Sequence, residues 1–174
     1  GSEMCIRDRA MEVLKVIQNT NSSEDYLYNA ISYIINKTEA VCYDGYRVDP
    51  NNAYEQMMLV KRYFSKTSGN QLMHFIVSFD VRSVQDANTA LHYGYRIAQY
   101  FGDRFQTVFS VHEKDSYYNG ILKSMYHVHM ILNSVSFTDG KMFAEGKGEF
   151  AKFAEYIGKI TRSRKCRVVY GGEE

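Results

Sequence analysis

Two histidines, His127 and His129, lie two residues apart in the apolar segment 126–133. A short apolar segment with this spacing predicts a β-strand, whose side chains alternate between its two faces. His127, His129 and Asn133 therefore share one face. From the rise of a strand, the Cβ atoms of the two histidines would be about 6–7 Å apart. Both imidazoles could then bind one divalent cation.

A third imidazole is predicted on the preceding strand, residues 105–112, which ends at His112. We expect this strand to pair with the histidine strand and to place His112 beside the other two rings. Three imidazoles that leave coordination positions open suit a divalent ion that also binds a phosphate, such as Mg²⁺, Mn²⁺ or a similar ion. Glu113 and Asp115 are candidates to hydrogen-bond a ligand imidazole. The alternative is that these are ordinary half-exposed strand histidines.

A fourth histidine, His74, lies in another apolar segment that predicts a strand, residues 72–80. Alternation places His74 and Ser78 on the face opposite the core side chains of that strand. We expect both residues, together with Asn133, to contact a phosphate or a ligand imidazole. For His74, a sheet histidine without any ligand is an equal alternative.

Apolar periodicity predicts the elements that must position these side chains. Strands are expected at 13–18, 72–80, 105–112, 126–135 and 167–170, and helices from the start signal at 22–25 to about 36 and at 50–64, 84–101 and 150–160. A loop or hairpin is expected at 37–49, and a polar, tyrosine-rich insertion at 113–125 separates the two histidine strands. The two histidine-bearing strands follow each other without a helix, so they should pair antiparallel. The pattern predicts an α+β fold, a central antiparallel sheet with helices on one face and the metal site on the other.

The length of 174 residues and a hydrophobic fraction of 45% predict one globular domain. Residues 1–12 are expected to be a cloning-derived or disordered leader, 13–170 the domain and 171–174 a tail. Three scattered cysteines argue against a disulfide framework and favour a reducing compartment, and no apolar segment is long enough to span a membrane. We therefore expect a cytoplasmic protein.

The net charge of only +1 does not by itself indicate a nucleic-acid-binding protein. Local clusters of basic and aromatic residues are better candidates for DNA contacts. These candidates are Lys159, Arg162, Arg164, Lys165 and Arg167, with Tyr117 and Tyr118 for base stacking and Lys61, Arg62 and Lys66 as a second basic group. The alternative for any one of the basic residues is a solvated helix end.

The pattern of His112 followed by His127, His129 and Asn133 resembles the motif of relaxases, the mobilisation nucleases with a histidine-hydrophobe-histidine core. The similarity extends along the chain in the order of the family's motifs. Residues 22–38 resemble the first motif, a helix with the nucleophilic tyrosine, 74–79 resemble the second, and 133–141 resemble the segment after the third. The spacer 114–125 is longer than is usual in the family.

This resemblance implies that Tyr33 is the nucleophile of a metal-dependent DNA nickase, with Tyr26 and Tyr28 as alternatives. It implies a covalent 5′-phosphotyrosyl intermediate at the transfer origin of a plasmid or conjugative element, single-stranded DNA as substrate, and accessory mobilisation proteins as partners. A free phenol has a pKa near 10, so the tyrosine needs help from a metal or a neighbouring group.

Three other functions compete with the relaxase interpretation. A rolling-circle replication initiator or a single-tyrosine transposase would use the same chemistry, although the early tyrosine favours a relaxase. A DNA-binding module without catalysis and a metal-dependent hydrolase of a small substrate belong to different classes. Metal-dependent covalent capture of DNA separates the nickases from both.

Overall fold

The computed structural model describes residues 9–18 and 23–172 and has a mixed α+β fold with six strands and four helices. The strands are β1 (Met11–Ile17), β2 (Ala40–Tyr46), β3 (Leu72–Ser78), β4 (Thr107–Tyr118), β5 (Ile121–Asn133) and β6 (Lys165–Gly171). The helices are α1 (Glu24–Asn36), α2 (Ala53–Tyr63), α3 (Ala87–Ala98) and α4 (Lys147–Thr161), and a 3₁₀ turn at Pro50–Asn52 leads into α2. The predicted fold class is confirmed.

The strands form one sheet in the order β2-β4-β5-β3-β1-β6. Every neighbouring pair is antiparallel except β1 and β6, which are parallel. The two histidine-bearing strands β4 and β5 pair antiparallel, as the sequence predicts, and β3 lies on the other side of β5. Three strands that carry histidines are therefore adjacent in the middle of the sheet.

Helices α3 and α4 cover one face of the sheet and enclose the larger core. Helix α3 approaches the sheet closely because Gly94 has no side chain, since a Cβ there would lie 3.0 Å from the Phe109 ring. Aromatic rings fill the space under α4, where Phe75 packs against Phe150 and Phe153. Closely packed apolar side chains therefore fill the space between this face of the sheet and the two helices.

Helices α1 and α2 pack on the opposite face, which is the face of the histidines, and this differs from the expectation of helices on one face only. The buried stripe of α1 includes Leu27, Ile31 and Ile34, and it needs an apolar surface to cover. Val108 and Ile131 of the histidine face supply that surface. The candidate site therefore lies beside α1 on a half-covered sheet face.

The polar insertion at 113–125 continues the two histidine strands, because β4 and β5 extend through it as far as a two-residue turn. The strands meet at Asn119–Gly120, where both residues have positive φ angles of 50° and 77°. Asn-Gly is the preferred dipeptide of a two-residue hairpin turn. The segment 114–125 is thus a two-stranded extension of the sheet, which we call the β4–β5 arm.

Two smaller boundaries also differ from the sequence-based expectations. Residues 40–46, where a loop or hairpin was expected, form a single edge strand, and β1 begins at Met11, inside the expected leader. Three parts of the predicted organisation lie outside the described residues: positions 1–8 of the leader, Ser22 of the helix-start signal, and positions 173–174 of the tail. Within the described part of the chain, no helix has the length and apolar character needed to cross a membrane.

Candidate metal and tyrosine site

Three imidazoles converge where β4 and β5 pair. His112 is the cross-strand partner of His127, and His129 is one step further along the same face. The ring centroids of His112 and His129 are 4.3 Å apart, and those of His127 and His129 are 5.0 Å apart. One nitrogen from each of the three side chains can be chosen so that all lie within 4.8 Å of one another. This is the donor set that the sequence predicted.

The orientation of two of these rings is fixed by buried hydrogen bonds. Nε2 of His112 lies 2.8 Å from the carbonyl oxygen of Ile34 in α1, and because a carbonyl only accepts, this nitrogen donates and Nδ1 keeps its lone pair. Nδ1 of His129 lies 3.0 Å from Nε2 of His74, which leaves Nε2 of His129 available to a ligand. The three residues therefore fit one divalent ion, with second hydrogen bonds of the kind that metal-binding histidines make.

Burial keeps the cluster in the form that binds metals. Burial is the largest cause that lowers the pKa of His129, to about 2, and the charges of His74, His112 and His127 lower it further. Burial also lowers the pKa of His112. A neutral imidazole is the form that ligates a metal ion, and at neutral pH these two rings are neutral.

Tyr33 lies at the edge of this cluster. Its ring meets that of His129 edge to face, with 6.2 Å between the centroids, and the residue is 37% exposed. Of the two other candidate tyrosines, Tyr26 is buried in the core between α1 and α2, and Tyr28 is exposed and packs against Tyr54. The structure thus brings Tyr33 to the histidines with its hydroxyl within reach of solvent.

Lys37, which the sequence analysis did not single out, contacts Tyr33. Its Nζ donates a hydrogen bond of 2.6 Å to the Tyr33 hydroxyl and lies 4.6 Å from the centre of the ring. Lys37 caps the C-terminus of α1, four residues after Tyr33. The helical spacing of four was the signal that could have found this pair from the sequence.

His74 and Ser78 both lie beside the cluster on β3. His74 is 6% exposed and bonded to His129, and Ser78 is exposed and is the cross-strand partner of His127. Because cross-strand partners share a face, Ser78 lies on the histidine side of the sheet, open to a substrate.

Glu113 and Asp115, which the sequence suggested as partners of a ligand imidazole, lie on the wrong face. Alternation along β4 places both on the side opposite His112. Glu113 accepts a long hydrogen bond of 3.4 Å from Tyr126, and Asp115 accepts one from Ser124. Neither carboxylate can orient a histidine of the cluster.

Asn133 shares the face of the histidines but is not available to a phosphate. It is fully buried, and its side-chain amide donates to the carbonyl of Met57 and to the side chain of Gln106. Its oxygen accepts from the backbone of Val135. Asn133 therefore attaches α2 to the end of β5, and the expected phosphate contact is wrong.

The basic residues near the C-terminus are divided between the two sides of the sheet. Arg167 of β6 is the register partner of Val13, which pairs with Ser78, so Arg167 lies in a row that leads to the histidine face. In contrast, Arg162, Arg164 and Lys165 line a surface cavity of about 400 Å³ with Lys159 at the end of α4. Lys159 also lies 3.7 Å from Glu155.

The remaining predicted DNA contacts have mixed outcomes. Tyr117 is 76% exposed but occupies the face of β4 opposite His112, and Tyr118 is in the strand at the tip of the arm. Lys61 is fully buried, where its Nζ donates to Gln71 and Ser134, and it cannot contact DNA.

The fold and the cluster define an α+β domain with a candidate site for one divalent metal ion beside a tyrosine. The family model for the MobA/VirD2-like relaxase, nuclease domain, matches residues 33–166, and this chain belongs to that family. Membership assigns the domain, at the level of the family, to DNA nicking in mobilisation and to single-stranded DNA as partner. Comparison with curated proteins and with solved structures found no match.

Proposed function

We propose that this domain nicks and rejoins one DNA strand at a transfer origin, with Tyr33 as the nucleophile and His112, His127 and His129 as ligands of a divalent metal ion, Mg²⁺ or Mn²⁺. The reaction would initiate conjugative mobilisation of a plasmid or related element in the bacterial cytoplasm, together with accessory mobilisation proteins. The observation that carries this proposal is the contact between the Tyr33 and His129 rings, with 6.2 Å between centroids.

The metal ion, when bound, would supply a Lewis acid that polarises the scissile phosphate. The chain's own residues position the reactants around it. His74 orients the His129 ring, and the Ile34 carbonyl orients His112. Lys37 donates to the Tyr33 hydroxyl, so its positive charge favours the phenolate that attacks. Exposed Ser78, next to His127, is in place to hydrogen-bond a phosphate oxygen.

The bond changes balance without a nucleotide cofactor. Oη of Tyr33 forms a new bond to phosphorus, and the bond from phosphorus to the 3′ oxygen breaks. The phenol loses one proton, and the departing 3′ oxygen takes up one. One phosphodiester replaces another, so the same site can reverse the reaction and rejoin the strand.

The DNA must reach this site along the histidine side of the sheet. Arg167 lies on a row that crosses β1 to Ser78 of β3, and Lys165 is two residues before it on β6, so we retain both as phosphate contacts. Lys159, Arg162 and Arg164 would contact the strand only where it continues around the β6 edge.

A capture assay tests the proposal. The protein would be mixed with labelled single-stranded oligonucleotides that span candidate transfer origins, with Mn²⁺ or with a chelator, and run on a denaturing gel. We expect a DNA-labelled protein band that needs metal and disappears in Tyr33→Phe. The matched control is Tyr28→Phe, an exposed tyrosine of the same helix that packs against Tyr54.

The outcomes separate the competing functions. A band that persists in Tyr33→Phe would move the nucleophile to Tyr26 or Tyr28. Binding of the oligonucleotide without any band, in folded and metal-loaded protein, would favour the DNA-binding module without catalysis.

A further inference from the structure

The β4–β5 arm continues the two central histidine strands beyond the rest of the sheet. The pairing of β4 with β2 ends at Ala40 and His112, and that of β5 with β3 ends at Ser78 and His127. Residues 114–125 then pair only with each other in the described register, up to the Asn119–Gly120 turn. The arm is therefore a ribbon that starts directly at the candidate metal site.

The two faces of the arm carry opposite charges. On the histidine side, the next cross-strand pairs after His112 and His127 are Lys114 with Met125 and Ser116 with Lys123. Both lysines are exposed. The opposite face carries the two carboxylates of this region, Glu113 and Asp115. Because side chains alternate along β4, Lys114 lies on the histidine side of the arm, and Glu113 and Asp115 lie on the opposite side.

The basic face lies at the right distance to hold DNA beside the scissile phosphate. From the strand rise, the Cα atom of Lys114 lies about 7 Å along β4 from that of His112. Lys123 pairs with Ser116, which lies about 14 Å along β4 from His112. That length corresponds to at most about four phosphates of one strand at about 3.4 Å each. Ile121 near the tip, which is 60% exposed, lies on the same side and offers an apolar contact for a base.

We propose that the histidine-side face of the β4–β5 arm is a clamp for single-stranded DNA, in which Lys114 and Lys123 bind phosphates next to the reacting one. The inference rests on the proposed function, because it takes DNA as the ligand of the adjacent histidine site. Charge complementarity and continuity with that site favour the backbone of a nucleic acid strand as the occupant. The carboxylates on the opposite face repel the strand and so restrict it to one side of the arm.

Salt-dependent binding measures this clamp directly. Fluorescence anisotropy would give the affinity of the whole chain for a labelled single-stranded oligonucleotide at several salt concentrations. Because each phosphate contact contributes about 0.7 to the slope of log K against log salt for single strands, Lys114→Ala/Lys123→Ala should lower the slope by about 1.4. We expect the affinity at 0.15 M salt to fall by about tenfold. The matched control Lys147→Ala/Lys152→Ala removes two exposed lysines of α4, on the other side of the sheet.

A charge swap tests whether DNA binding depends on the position of the lysine in the arm or only on the net charge of the arm. Lys114→Asp/Asp115→Lys keeps the composition of the arm but moves the cation to the opposite face. Under the proposal the swap weakens binding at least as much as loss of the Lys114 charge alone. Circular dichroism and thermal unfolding would show that the exposed arm variants remain folded.

The results distinguish the clamp from the catalytic site. If the wild-type protein binds and captures DNA while the arm variants keep its salt slope, the clamp is overturned and the nickase proposal stands. If the α4 control loses as much of the slope as the arm variant, the DNA path lies elsewhere and the clamp is again overturned. If the wild-type protein binds no single-stranded DNA, both proposals fail.

Discussion

His74 and His129 are joined across two strands by a buried hydrogen bond of 3.0 Å between Nε2 and Nδ1. The two residues are diagonal neighbours, because His129 is the register partner of Ile76 and His74 is that of Ile131. Both are 6% exposed. Nδ1 of His129 therefore makes a hydrogen bond to β3, and Nε2 is available to a ligand beside Tyr33 and the other two histidines of the cluster.

Replacement of His74 should weaken metal binding although His74 is not one of the three clustered ligands. In His74→Phe, the His129 ring loses the partner that orients it, and such outer contacts typically contribute 10–100-fold to metal affinity. Titration calorimetry with Mn²⁺ would measure the loss, with Glu113→Gln as the control that should bind like the wild type. Equal affinity of the His74 variant would show that the hydrogen bond does not position His129 for a ligand.

Lys37 should accelerate the chemical step rather than DNA binding. Its Nζ hydrogen-bonds the Tyr33 hydroxyl at 2.6 Å, so Lys37→Met removes the positive charge beside the attacking oxygen. We expect the single-turnover rate of covalent capture at saturating DNA and metal to fall by about tenfold or more, because a hydrogen bond from a charged donor contributes about 1.5–3 kcal/mol. Lys37→Arg should recover part of the rate because it keeps the charge. A variant that loses DNA affinity but keeps the saturated rate would assign Lys37 to phosphate binding instead.

Lys61 should make stability depend on pH in a predictable direction. Burial lowers the pKa of Lys61 from 10.5 to about 8 in the folded protein, so the unfolded chain binds more protons at this group between these values. Relative to Lys61→Met, the free energy of unfolding of the wild type should therefore rise with pH across this window, by at most about 3 kcal/mol. Below about pH 8 the group is protonated in both states, and its contribution becomes constant.

Urea unfolding at pH 7 to 10 would measure this difference. Lys152→Met, at an exposed position, controls for the loss of one lysine charge. Parallel curves for the wild type and Lys61→Met over the whole range would mean that the buried amine does not titrate as its surroundings imply.

The local pattern of the sequence was sufficient to predict the three-histidine cluster. The alternation of a strand is a property of the backbone, so His127 and His129 had to share a face once their segment was a strand. His112 followed from the pairing of consecutive antiparallel strands. The Asn119–Gly120 turn could also be predicted, since Asn-Gly favours a hairpin. The strands on either side of it were not predicted, because the surrounding segment is polar.

The tertiary structure alone decided which side chains surround that cluster. The place of β3 next to β5 brings His74 to His129, and the packing of α1 on the histidine face brings Tyr33 there. Asn133 shows the converse, since it shares the face of the histidines but is buried under α2. The position of Glu113, in contrast, followed from strand alternation alone, which places it on the face opposite His112. Strand order and the face on which a helix packs depend on the burial of apolar surface between distant segments. Periodicity within one segment describes its shape and its faces, but it does not select its neighbours.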